Sequence, residues 1–198
     1  MNRIYQLACQ FRRAMEQAKK EGVFRCAPGF KEFPLGSCGN TCDLLAEYLM
    51  EFGIYTEYVA GMYRDVTHAW LVVADKEAIM SKRYSDTHSK VDFDNEEAND
   101  YDRILSLIKN GRIMEREYIP PDYASELNGR VIIDITGDQF SGDKYLLYYD
   151  KPVYVGEMDE MHSLFEIDDI YECKGLSGVG DLHFSYFNNL YRKIKKYL

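Results

Sequence analysis

Acyl chemistry through a thiol needs a nucleophilic cysteine, a base and a group that orients the base, and candidates for all three stand in this chain. Cys38 lies in Phe33-Pro34-Leu35-Gly36-Ser37-Cys38-Gly39-Asn40-Thr41-Cys42. Pro34 and Gly36 mark a loop, and Asn40 or Thr41 is placed to cap a helix. Leu44, Leu45, Tyr48, Leu49 and Phe52 then recur at helical spacing until Gly53. A cysteine at the mouth of a helix meets the partial positive charge of unpaired amides, which lowers its pKa and raises its thiolate fraction. His68 opens the strand-like run Val66-Thr67-His68-Ala69-Trp70-Leu71-Val72-Val73. Asp134 interrupts the apolar run Arg130-Val131-Ile132-Ile133-Asp134-Ile135-Thr136. A carboxylate inside a β-branched run is costly unless it is paired, and a histidine that needs orienting is a suitable partner.

The elements that must position these residues follow from the pattern around them. Ile4, Leu7, Ala8, Phe11, Ala14, Met15 and Ala18 form one stripe of a helix over 2–21, with Arg and Lys on its other face and Gly22 at its end. Residues 22–36 form a loop that delivers the chain to Cys38. Tyr55–Met62 alternates as a strand, Asp65 lies in a turn, and the His68 strand closes a hairpin. Lys144–Tyr149 and Val153–Val155 read as further strands, residues 160–176 fit no one pattern, and Asp181–Leu198 is an amphipathic helix with a basic end. Residues 81–128 carry an acidic run, a short helical segment at Tyr101–Ile108 and Pro120-Pro121; they read as an insertion, a lid or a decoration.

The cysteine helix, the His68-Ala69-Trp70 strand and the Ile133-Asp134-Ile135-Thr136 strand resemble the transglutaminase-like branch of the papain-like cysteine hydrolase superfamily. Phe33-Pro34-x-Gly36-x-Cys38 and Asp134-x-Thr136-x-x-Gln139-Phe140 are similar to small bacterial papain-fold proteins, some of them toxin or effector domains. The resemblance covers about residues 30–80 and 129–141. It implies an α+β fold with a papain-like core, in which the cysteine helix packs on an antiparallel sheet; by its length the chain reads as a single domain over 1–198. It also implies Cys38 as nucleophile, His68 as base and Asp134 as orienter. Backbone amides at Cys38 and Gly39 would meet the oxyanion, with Gln139 as a side-chain donor. Asp138 is a rival acid, placed in a loop where solvent would reach it.

The expected reaction is amide hydrolysis of a protein or peptide through a thioester, with no metal or organic cofactor. Transamidation, deamidation or acyl transfer on the same residues are alternatives. Two non-catalytic alternatives remain. One is a papain-like core that only binds a partner. The other is a structural zinc site built from Cys26, Cys38, Cys42 and His68.

Composition bounds these readings. The chain has 198 residues, 46% of them hydrophobic and 17 of them tyrosine, which suits one folded domain. A formal net charge of -9 disfavours a phosphate backbone as main partner. The five cysteines are scattered and odd in number, which suits a reducing compartment. No signal-peptide pattern or membrane-length apolar run is visible. The expected location is the cytoplasm, or an exported effector without a cleaved signal.

Overall fold

The protein is described by a computed structural model covering residues 2–74, 123–142 and 149–198. Helix α1 spans Asn2–Lys20 and α2 spans Cys38–Met50. Strands β1 (Thr56–Tyr63) and β2 (Val66–Val73) follow. A short helix α3 (Tyr123–Leu127) precedes β3 (Ile132–Asp134) and a 3-10 turn at Gly137–Phe140. β4 (Tyr154–Gly156), a 3-10 turn at His162–Leu164 and β5 (Glu166–Cys173) come next. Helix α4 (Asp181–Ile194) comes last, followed by a 3-10 turn. The expected insertion at 81–128 and the expected strand from Lys144 fall largely outside the described residues; of the former, only α3 and the residue that follows it are seen.

The strands form an open five-stranded antiparallel sheet in the order β4-β3-β2-β1-β5, so the fold is α+β. β1 and β2 pair along their whole length, from Thr56 opposite Val73 to Tyr63 opposite Val66, across a tight connection in which Arg64 is left-handed at φ 58°. Period-two alternation splits β2 between two cores. Ala69 and Leu71 join Ile133 and Ile135 beneath α1, α2 and α4. Trp70 and Val72 join Ile132, Phe140, Met161 and Phe165 on the opposite face. By the same alternation His68 and Asp134 belong to the Trp70 face.

The helices follow their apolar stripes. Phe11, Met15 and Ala18 of α1 are fully buried and Phe11 stacks on Tyr48 of α2, with ring centroids 5.1 Å apart. Gly22 ends the run at φ 76°, a left-handed conformation that glycine adopts without Cβ strain. The loop to α2 is a chain of tight turns pinned by Phe24, Phe30 and Phe33, all buried. Past the end of α4, Lys195 ties the turn to Glu51, the residue that caps the C-terminus of α2, at 2.7 and 2.9 Å. Among the described residues no helix is long and apolar enough to cross a membrane.

Candidate active site

Cys38 is the first residue of α2, and the position before it is held by Ser37, not by Asn40 or Thr41. The Ser37 carbonyl accepts the Thr41 N–H at 2.8 Å, while the Ser37 hydroxyl turns back to the Pro34 carbonyl at 2.8 Å. The helix therefore starts earlier in the chain than a cap at Asn40 or Thr41 would start it, and Cys38 stands inside its first turn, where the first amides lack helical partners. Gly36 makes this entry possible by adopting φ 64°. Gly39 lets the Tyr58 hydroxyl approach the helix start closely: a Cβ there would lie 2.9 Å from it.

His68 enters from β2 and Asp134 from the end of β3, both buried. His68 Nε2 donates to Asp134 Oδ2 at 2.9 Å. The other carboxylate oxygen, Oδ1, accepts the Thr136 N–H at 2.8 Å and the Thr136 hydroxyl at 3.0 Å. With Nε2 taken, Nδ1 is the nitrogen left for the thiol, and Cys38 lies close enough to the His68 ring for each to shift the other's pKa. Burial pushes the Cys38 thiol up, but the proximity and charge of His68, with backbone amides of Ala69 and Gly39, together hold it below its ordinary value. Burial lowers the His68 pKa, yet the Asp134 charge and hydrogen bond, then Cys38, carry it up to about 9. Asp134 is disfavoured as an anion by burial and is nonetheless held well below the usual carboxylate range by His68 and His162. These shifts favour a thiolate–imidazolium pair.

Gln139 sits beside this pair. Its Oε1 accepts the Gly36 N–H at 3.2 Å, which aims its amide nitrogen at His68 Nδ1, 3.0 Å away. That geometry suits a neutral ring accepting at Nδ1; once Nδ1 carries a proton toward sulfur, the Gln139 amide must turn away. Gln139 is thus bonded to the base rather than standing free for an oxyanion. Asp138 is not a solvated rival to Asp134. Its two oxygens take Arg12 at 2.7 Å each, and Arg12 also donates to the Ile135 carbonyl at 2.6 Å. The Arg12 guanidinium lies 4.8 Å from the centre of the Phe33 ring. One buried arginine, expected on the polar face of α1, therefore ties the cysteine loop to the aspartate loop.

Neither family models, nor curated proteins, nor solved structures give a match to this chain. The site rests on its own geometry.

Two neighbours escaped sequence reasoning. Tyr58 of β1 presents its hydroxyl at Gly39 and stacks on Tyr171 of β5 at 4.9 Å; burial, then the nearby Cys42, raises its pKa and keeps it a donor. His162 is fully buried behind Asp134, 3.3 Å from Oδ2, with Asp159 Oδ1 at 2.6 Å from its other nitrogen. The available signal was Asp159-x-x-His162, a spacing at which a carboxylate can hold a histidine within one turn, in a stretch without clear periodicity.

The zinc alternative finds no support in the placement of its ligands. Cys26 is exposed, Cys42 is buried, and these do not gather with Cys38 and His68 into a ligand group among the described residues. The only such grouping there is His68, Asp134 and His162, whose ligand atoms lie within 4.8 Å of one another. Two atoms on one tetrahedral zinc stand about 3.3 Å apart. The 2.9 Å between His68 and Asp134 is closer than that and matches a charge-assisted hydrogen bond.

Proposed function

We propose that the protein is a papain-like, transglutaminase-like cysteine hydrolase that cleaves amide bonds through a thioester on Cys38. The observation that carries this reading is the His68 ring, bonded through Nε2 to a buried carboxylate and electrostatically paired with a thiol at a helix mouth.

In the first step the Cys38 thiolate attacks the acyl carbon and forms the C–S bond. Charge develops on the carbonyl oxygen and is met by the amides at the start of α2, with the Tyr58 hydroxyl close by. The C–N bond breaks as His68 gives its proton to the departing amine. Water then attacks the thioester, His68 takes its proton, the C–S bond breaks and the acid leaves. Asp134 keeps the ring in the required tautomer and balances its charge.

The test is labelling of the full chain with a peptide vinyl sulfone, site-mapped by mass spectrometry, alongside incubation with a peptide library. Adduct on Cys38 and new peptide termini, both lost in Cys38→Ala, are the expected results. Absence of any Cys38 adduct would overturn the thiol chemistry. A one-dalton gain on glutamine, or incorporation of an added primary amine, would redirect the thioester to deamidation or transamidation.

A further inference from the structure

We propose that His162 is a positioning residue of this site, a buried imidazolium that shares Asp134 with His68 and so limits the charge His68 feels. Its role toward Cys38 rests on the thiol chemistry proposed above; its charge state does not.

The distances dictate the protonation. His162 Nδ1 lies 2.6 Å from Asp159 Oδ1, which also accepts the His162 backbone N–H at 3.0 Å, so Nδ1 carries a hydrogen. Nε2 is fully buried and has no hydrogen-bond acceptor in good geometry, yet it faces Asp134 Oδ2 at 3.3 Å. A bare lone pair there would oppose a carboxylate oxygen in a dry core, at a cost no other contact offsets. A proton on Nε2 converts the same contact into attraction. Burial opposes the charged ring, and its contacts with the Asp134 and Asp159 carboxylates outweigh it, raising the His162 pKa. The other titratable groups facing the ring are His68 from β2, Tyr154 from β4 and Tyr149, with ring centroids at 6.2, 5.3 and 6.1 Å. Asp159 in turn accepts the Tyr149 hydroxyl at 3.0 Å and pairs with Lys151 at 3.6 Å.

Charges thus alternate along one line: Cys38 thiolate, His68 cation, Asp134 anion, His162 cation, Asp159 anion, Lys151 cation. The arrangement has a use. A base that must both take and return a proton is poorly served by a buried carboxylate acting on it alone, which would hold the proton too tightly. A second cation on the same oxygen, about 6 Å from the first ring, weakens that hold.

The test is histidine-resolved nitrogen NMR of the full chain across pH, with His162→Gln and Asp159→Asn. In the unaltered protein His162 is expected to keep both ring protons at a pH where an ordinary histidine has lost one. In His162→Gln the His68 titration should move up by about one to two pH units, because a like charge at that distance has gone. Asp159→Asn alters a partly exposed acid, so it reports even where His162→Gln does not fold; it should return His162 toward the ordinary range and move His68 upward. A neutral His162 near pH 7, a His68 titration unmoved in whichever of the two variants folds, or a bound zinc ion displacing these protons would each overturn the proposal. Failure of Cys38 to take the acyl probe, with His162 still charged, would sink the proposed hydrolase alone.

Discussion

Replacing Asp134 by asparagine separates an orienting carboxylate from a merely buried one. In the folded protein Asp134 carries His68 up to about 9 against a burial that lowers it. With the charge removed, burial is opposed mainly by Cys38 and the ring falls toward its ordinary 6.5. A fall of that full size lowers the imidazolium population relative to the neutral ring by about 300-fold, and the thiolate paired with it falls in step. The amide also presents an N–H where His68 and His162 both offer donors, or turns it on Thr136; either way one face is mismatched. In the first orientation His68 moves its proton to Nδ1 and can no longer accept the thiol proton there. Cys38 alkylation by iodoacetamide at pH 7 should therefore drop about 100-fold or more, and turnover by about 10⁴-fold. Stripping one partner from a buried ionic network costs about 3 kcal/mol, which lowers Tm by roughly 6–12 °C in a chain of this size. Assays at 10–15 °C, on protein shown folded by circular dichroism, keep the two effects apart. A folded Asp134→Asn protein whose Cys38 alkylates within about threefold of the unaltered rate would refute the orienting role.

Other outcomes follow from the same contacts. Burial pushes the Cys42 thiol well above its ordinary value, so site-resolved alkylation at neutral pH should find Cys38 faster by at least about 100-fold. Asp138→Asn breaks the two-pronged Arg12 contact and should cost about 2 kcal/mol in urea denaturation, yet leave Cys38 alkylation nearly unchanged. Gln139→Ala should reduce peptide turnover by about 100-fold if the released amide serves the oxyanion, with little effect on alkylation, where no oxyanion develops. On pH, His68 contributes stability that is complete below its unfolded value and lost as pH rises through about 9; denaturation midpoints of Asp134→Asn should lack that decline.

What was legible in the sequence is what local pattern controls. The stripe of α1, the apolar run of α2, the β1–β2 hairpin and the buried Asp134 can each be read from spacing, because a helix or a half-buried strand writes its period into side-chain polarity. The cysteine, histidine and aspartate could be named for the same reason: each sits at an element end or interrupts an apolar run. The start of α2 was misplaced because backbone turns, not a side-chain cap, begin it. Arg12, Asp138, Gln139 and His162 have meanings that depend on partners 123, 126, 103 and 28 positions away, and no local period encodes such distances. Arg12 looked like a solvated helix face and is a buried clamp; Asp138 looked like a free loop acid and is its counterion. His162 lay in a stretch without periodicity, and only the closing of β3 against the Asp159 turn brings its ring to Asp134. Residue types and their local elements were set by composition along the chain, whereas charge states were set by burial and by the neighbour across the fold, which exist only once the sheet has closed.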